Sequence, residues 1–205
     1  MEYTSTVTLG RSGWRERLKS LSVRRGELED NELVSRTLAG DTRSYEELVG
    51  RYERLVAKVL YPYAKREISA EDLMQETFLR AYDRLDSFNP EYRFKTWLLA
   101  IANNLGIDTL RRRREMVEFN QEIHSEVSGG GPEKMAMDAE RDAGVRAAME
   151  SLPETYQVPL MLRYNEEMSY AEIAEVLSIT VPAVKSRLFR ARNMVGEKLS
   201  GEHAG

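Results

Sequence analysis

The chain contains no cysteine, only two histidines and no long run of apolar residues. It therefore has no disulfide, no thiolate nucleophile and no cysteine-ligated zinc, and it has little imidazole chemistry. The longest apolar run extends only from Trp97 to Ala102, whereas a membrane-spanning helix needs about 20 such residues. The N-terminus also lacks the apolar segment of a signal peptide. We therefore expect a cytoplasmic protein that does not itself insert into a membrane.

Strand patterns and internal repeats are absent as well, and apolar residues recur instead at intervals of three and four. That period is typical of helices that bury one face. The 205 residues are 41% hydrophobic and 31% charged, a composition that suits a soluble globular protein. The sequence therefore predicts an all-α protein.

An acidic stretch with little periodicity, residues 115–138, separates two helical regions. It contains three consecutive glycines followed by a proline, which is typical of a flexible linker. We therefore predict two small helical domains, at residues 28–114 and 139–201. A basic extension, residues 1–27, precedes them.

The net charge of −4 conceals an uneven distribution. Residues 84–114 carry seven basic and three acidic groups, and residues 182–205 carry five and two. Two separate basic regions suit a polyanion that is contacted at two places. Solvated helix faces also produce such blocks, so charge alone leaves both interpretations open.

In the first domain the apolar period predicts four helices. Gly40 and Asp41 divide the first two, and Ser69 resembles the N-cap of the third. The third helix should turn Met74, Phe78, Ala81 and Leu85 towards the core and end before Pro90, and the fourth should cover residues 94–114.

Residues 169–192 have the layout of a helix-turn-helix unit: a short helix, a tight turn and a longer helix with one apolar stripe. Such a second helix fits the major groove of B-DNA, where arginine and lysine contact bases and phosphates. A plain helical hairpin with a basic outer face is the alternative. The polar residues off its apolar stripe are Lys185, Ser186, Arg187, Arg190 and Arg192.

Two sets of motifs resemble a known family. Residues 71–82 (EDLMQETFLRAY) and 94–98 (FKTWL) resemble conserved region 2 of bacterial sigma factors. Residues 169–174 (SYAEIA) and 184–192 (VKSRLFRAR) resemble region 4. With only these two regions and a short linker, the chain resembles an extracytoplasmic-function (ECF) sigma factor of the sigma-70 family.

The resemblance implies a protein that binds core RNA polymerase and directs promoter-specific transcription initiation. It would recognise −35 DNA, and it would recognise and melt the −10 element. The implied partners are core polymerase (the β′ clamp helices and the β flap), promoter DNA and an anti-sigma factor, with no cofactor. Core polymerase would contact Asp72, Gln75 and Glu76. The −10 residues would be Asn89, Tyr92, Arg93, Lys95, Trp97, Asn104, Asp108, Arg111 and Arg112. The −35 residues would be Lys185, Ser186, Arg187, Phe189 and Arg190.

Four aromatic residues, Phe88, Tyr92, Phe94 and Trp97, surround the loop at residues 89–93, and Arg84, Arg93 and Lys95 supply charge around it. Proteins capture unstacked bases in pockets with aromatic and polar walls. The same rings could instead form a hydrophobic plug. We expect at least two of them to belong to the core, and Trp97 to pack there.

Two other functions compete with this interpretation. A repressor or activator that acts without polymerase would need only the C-terminal unit, and would leave the face with Asp72, Gln75 and Glu76 without a role. An enzyme would need a metal-ligating cluster, a nucleophile beside a base, or a phosphate-binding glycine loop. The sequence offers none of these, so we predict no catalytic and no metal-binding residue.

The sequence departs from the family pattern in three places. Leu99 and Ala100 stand where many relatives have Tyr-Arg, and Ser178 stands where the turn usually has glycine. Pro182 and Ala183 replace a Gly-Thr pair, which removes a hydroxyl able to contact a phosphate. These departures leave the expected function in place and bear only on which −35 sequence is recognised.

Overall fold

A computed structural model describes residues 28–64, 68–119 and 139–201, and these residues form eight α-helices and two short 3₁₀ helices. The prediction of an all-α fold is confirmed. The predicted extension (residues 1–27) and most of the predicted linker lie outside the described residues. The N-terminal lobe contains α1 (Asp30–Leu38), α2 (Thr42–Leu60), α3 (Ala70–Asp83) and α4 (Phe94–Phe119), with 3₁₀ helices at Tyr61–Tyr63 and Leu85–Ser87. The C-terminal lobe contains α5 (Ala139–Glu150), α6 (Glu154–Tyr164), α7 (Tyr170–Leu177) and α8 (Val181–Gly201).

Side-chain caps begin two of the N-terminal helices. The Asp41 carboxylate accepts a hydrogen bond from the backbone N–H of Arg43 at the start of α2. The Ser69 hydroxyl accepts one from the backbone N–H of Asp72 at the start of α3, as the sequence predicts. Each cap satisfies a backbone donor that has no partner within its helix.

The apolar faces of α1 to α4 meet in the core of the N-terminal lobe. Phe78, Ala81 and Leu85 are buried there, as predicted, and Met74 is half-buried against the same core. The helix α3 ends at Asp83, and a 3₁₀ turn then carries Leu85 inward. The helix α4 continues past the predicted end at Arg114 to Phe119.

The 3₁₀ helix after α2 is held tightly against α4. The Tyr63 hydroxyl donates a 2.7 Å hydrogen bond to Oδ1 of the buried Asn103. A Cβ atom built on Gly106 would lie only 2.3 Å from the Tyr63 ring. The close packing of this ring on α4 therefore depends on glycine at position 106, which has no side chain. Burial, reinforced by Glu154, raises the pKa of Tyr63 above its ordinary value.

In the C-terminal lobe, α7 and α8 form the predicted helix-turn-helix. A capping box begins α7: Ser169 accepts from the backbone of Glu172, and Glu172 accepts from the backbone of Ser169. The turn passes through Ser178 in the left-handed conformation, with φ of 52°. Val184, Leu188 and Ala191 of α8 are buried, so one face of this helix packs inward and the opposite face remains outside.

The two lobes lie against each other. The helix α7 packs on α4, and α6 packs on the 3₁₀ helix Tyr61–Tyr63. The buried apolar residues form one cluster that runs from the N-terminal lobe into the C-terminal lobe. The first turns of α4 and the start of the helix-turn-helix are therefore neighbours in space.

Candidate nucleic-acid interface

The loop at residues 89–93 is an ordered turn anchored to α1. Asn89 Oδ1 accepts from the backbone N–H of Glu91 at 3.0 Å, and the backbone N–H of Tyr92 donates to the Asn89 carbonyl at 3.1 Å. From α1, the Asn31 side chain donates to the carbonyl of Pro90 at 3.0 Å. These bonds hold Asn89, Tyr92 and the first residues of α4 in a defined arrangement.

Of the four aromatic rings at this loop, three pack together and one points outward. Phe88 and Phe94 are buried, Trp97 is half-buried, and the three ring centroids lie 5.4 to 5.6 Å apart. The expectation that at least two rings belong to the core, with Trp97 packed there, is confirmed. Tyr92 is 57% exposed and is the ring available to stack on a base.

A polar stripe runs along the outer face of α4. Asn104, Asp108 and Arg111 lie at spacings of four and three, so they share one face, and Arg112 is exposed beside them. Asp108 and Arg111 form an ion pair at 3.3 Å. The structure thus brings together the α4 residues that the sequence singled out.

A groove of about 360 Å³ lies between this stripe and α3. Arg80 and Arg84 line its α3 side, opposite Asn104 and Asp108. Arg80 pairs with Glu76 at 2.8 Å, whereas the Arg84 side chain is exposed. The sequence predicted a role for Arg84, as a charge near the loop at residues 89–93, but none for Arg80. Only the packing of α3 on α4 shows that both arginines line this groove.

The exposed face of α3 combines acidic and apolar side chains. Asp72 and Gln75 are exposed, and Glu76 is half-buried against Arg80. Leu79, at 54% exposure, lies three and seven residues beyond Glu76 and Asp72, on the same face. Leu79 therefore adds one exposed apolar side chain to this acidic face.

The outer face of α8 presents the residues predicted for −35 DNA. Lys185, Ser186, Phe189 and Arg190 are exposed, and Arg187 is half-buried. Phe189 is 60% exposed, although it is apolar. Ser186, Phe189 and Arg190 lie opposite the buried stripe of α8, whereas Lys185 and the half-buried Arg187 flank it.

Comparison with known proteins assigns the family. Residues 48–116 match the family model for Sigma-70 region 2, and residues 143–195 match the one for Sigma-70 region 4. The chain is 30% identical to the ECF RNA polymerase sigma factor SigW of Bacillus subtilis, over 81% of this chain and 94% of that relative. The chain belongs to the extracytoplasmic-function sigma factors.

Other relatives agree. The ECF RNA polymerase sigma-E factor of Escherichia coli (strain K12) is 35% identical over 84% of this sigma factor and 95% of its own length. The solved structure of CnrH in complex with the cytosolic domain of CnrY has a TM-score of 0.60 at 25% identity, over 84% and 97% of the two chains. RpoE of Bartonella quintana, solved with the anti-sigma factor NepR, shares the fold with a TM-score of 0.63 at 23% identity, over 77% and 98%.

Membership in the family decides between the competing functions. This sigma factor directs promoter-specific transcription and is a non-catalytic initiation factor rather than an enzyme. None of the helices in the described part of the chain has the length and apolarity needed to cross a bilayer.

Proposed function

We propose that the two lobes of this sigma factor divide promoter recognition between them while the N-terminal lobe binds core polymerase. The observation that carries the proposal is that each lobe has one polar, basic helix face turned away from its core, on α4 and on α8. Two positive faces joined by a linker suit one DNA molecule contacted at two places.

The −10 element would be recognised by the loop at residues 89–93 and by α4. Exposed Tyr92 provides a stacking surface for an unpaired base, and Arg93 and Lys95 provide charge. Trp97 supports the site from within, because its ring packs on Phe88 and Phe94. Asn104, Asp108, Arg111 and Arg112 would follow the adjoining duplex, and Arg80 and Arg84 would contact its backbone from the groove between α3 and α4.

The −35 element would be read by α8 in the major groove. Lys185, Ser186, Arg187, Phe189 and Arg190 form its outer face. Replacing Arg187 or Arg190 with alanine should each weaken binding of the holoenzyme to its −35 site by ~1–3 kcal/mol. Lys198, exposed in the last turn of α8, offers a matched control, since Lys198→Ala should change binding little. Footprints of holoenzymes on the same promoter measure this, and unchanged footprints in both arginine variants would contradict the assignment.

Core polymerase would bind the exposed face of α3, with Asp72, Gln75 and Glu76 on the β′ clamp helices and Leu79 beside them. We expect Asp72→Lys and Glu76→Lys to reduce association with core polymerase, because each reverses a charge on that face. Glu197→Lys makes the same change in the other lobe and should leave this contact unaffected. Co-purification with core polymerase tests the role, and equal recovery of all variants would contradict it.

An anti-sigma factor is the remaining proposed partner. It is supported by the similarity to CnrH, which was solved with the cytosolic domain of CnrY. This sigma factor would contact core polymerase through its own α3 face and at the β flap of the polymerase. Those contacts would place the protein in the cytoplasm.

A further inference from the structure

The first turn of α1 is joined to the loop at residues 89–93 by a long-range hydrogen bond. Asn31 Nδ2 donates to the carbonyl oxygen of Pro90 at 3.0 Å, across 59 residues of sequence. Proline has no N–H, so its carbonyl is the one backbone group at which this position can be hydrogen-bonded. The helix α1 also packs on the 3₁₀ helix Leu85–Ser87, which leads into the loop. The loop is thus held from α1 as well as from its own ends.

The first turn of α1 is itself fixed by α2. Asp30, the neighbour of Asn31, accepts a hydrogen bond from Arg51 Nη1 on Oδ1 at 3.0 Å and another from the Tyr52 hydroxyl on Oδ2. The Asp30 and Arg51 side chains are half-buried, so this ion pair is shielded from solvent more than a fully exposed one. Glu47 holds the same arginine at 3.1 Å. Asn31 therefore extends from a turn whose place is set by the adjoining helix.

The same anchor also contacts the aromatic cluster at the loop. The Tyr52 ring centroid lies 5.7 Å from that of Phe94, and Phe94 packs on Phe88 and Trp97. Burial raises the pKa of Tyr52, and the hydrogen bond to Asp30 raises it further, so the hydroxyl remains a donor at neutral pH. The loop thus has two supports, the apolar contact of the rings that flank it and the polar contact from Asn31.

Within the loop, the Pro90 carbonyl is linked through the backbone to Tyr92. The Tyr92 N–H donates to the Asn89 carbonyl at 3.1 Å, which closes a four-residue turn with Pro90 at its second position, where proline is favoured. The proline ring fixes φ, so a hold on the Pro90 carbonyl fixes the peptide plane that leads to Glu91. Because Tyr92 is 57% exposed, its direction depends on this backbone more than on packing.

We propose that Asn31 is a positioning residue for −10 recognition: by holding the Pro90 carbonyl, it presents Tyr92 to an unstacked base of the promoter. The inference rests on the proposed −10 role of the loop at residues 89–93. Asn31 acts through the loop rather than by touching DNA. A loop that is already ordered binds more tightly, because less conformational entropy is lost when the base arrives. Loss of this hydrogen bond therefore weakens −10 binding and leaves the −35 face on α8 unchanged.

Substitutions at position 31 test the proposal, with a residue one turn along α1 as the control. Asn31→Ala removes the donor, whereas Asn31→Gln keeps an amide donor on a longer side chain. Ser35→Ala removes a polar group at an exposed position of the same helix. Holoenzymes containing each variant are titrated with two fluorescent probes from one promoter that the wild type transcribes. One probe is the single-stranded −10 element, and the other is a duplex with the −35 element alone.

We expect Asn31→Ala to weaken binding of the −10 strand by about threefold to tenfold relative to Ser35→Ala, which is the range of one hydrogen bond. The −35 duplex should bind as it does to the wild type. Asn31→Gln should restore part of the lost −10 affinity, because its amide can still donate to the Pro90 carbonyl. A purely structural role would weaken both probes. An equal loss for both probes, or no loss for either, would overturn the proposal.

Tyr92→Ala in the same titration separates this inference from the proposed function. If Tyr92→Ala weakens binding of the −10 strand and Asn31→Ala does not, the loop keeps its proposed role and the inference is overturned alone. If neither Tyr92→Ala nor Arg93→Ala weakens binding, the proposed −10 role fails, and the positioning role of Asn31 fails with it.

Discussion

The glycine at position 106 allows the ring of Tyr63 to pack closely on α4. Gly106 lies under the ring of Tyr63, and this ring in turn positions its hydroxyl on Asn103. Nothing in the local sequence shows this requirement, because a glycine within a helix otherwise only weakens it. The constraint comes from a partner more than forty residues away.

We therefore predict opposite effects for two glycine substitutions in helices. Gly106→Ala should destabilise the protein by about 1–3 kcal/mol, because the added Cβ would overlap the Tyr63 ring. Gly50→Ala in α2 meets open space and should stabilise it by about 0.5–1 kcal/mol through helix propensity. Urea unfolding measures both, and a Gly106→Ala variant as stable as the wild type would disprove the close contact.

Ser178 stores conformational strain in the turn of the helix-turn-helix. Its φ of 52° is in the left-handed region, which costs a side-chain-bearing residue roughly 1–2 kcal/mol. Ser178→Gly would relieve this strain, but the greater freedom of glycine in the unfolded chain offsets part of the relief. The substitution should therefore stabilise the protein by about 0.5–1 kcal/mol. Thermal unfolding checks this, with Ser178→Ala as a control that keeps the strain; a lower melting temperature for the glycine variant would contradict it.

At the scale of elements, the apolar period predicts where the helices lie but does not predict where they end. It predicts one stripe on α8, of which Val184, Leu188 and Ala191 are buried and Val195 and Leu199 are half-buried. The end of α4 at Phe119 was missed because helix-forming residues continue beyond Arg114 with no glycine or proline to stop them. The predicted length of α3 was too great because Arg84 leaves the helical conformation, with φ of −115° and ψ of 12°.

The candidate site also contains residues that the sequence can predict and residues that it cannot. Residues on one helix, such as Asn104 and Asp108, could be predicted together because helical spacing relates them. Arg80 could not be assigned, because its relation to α4 depends on how the two helices pack. Motifs within one helix can be predicted from the sequence. A groove between two helices can be identified only when the packing of those helices is known.

The groove between α3 and α4 gives a prediction at this scale. Arg84→Ala should weaken binding of the holoenzyme to a fork DNA with a −10 element and reduce the salt dependence of binding by about one ion, as expected for a lost phosphate contact. Arg54→Ala, an exposed arginine on α2, serves as the control. An unchanged salt slope for Arg84→Ala would exclude a phosphate contact from this residue.

At the scale of the whole molecule, the sequence predicts two lobes but not their mutual packing. Glu166, in the turn after α6, pairs with Lys95 of α4 at 3.0 Å and with Lys58 of α2 at 3.6 Å, and no local sequence pattern relates these three residues.

Transcription from a library of randomised promoters, by core polymerase with and without this protein, tests the central claim most directly. The account predicts transcripts only when the protein is added, from templates enriched in two short sequence blocks at one fixed spacing. Arg187→Ala should relax the upstream block, and Arg93→Ala the downstream one. Enrichment of a single block, or no transcripts beyond those of core polymerase alone, would contradict the assignment of one promoter element to each lobe.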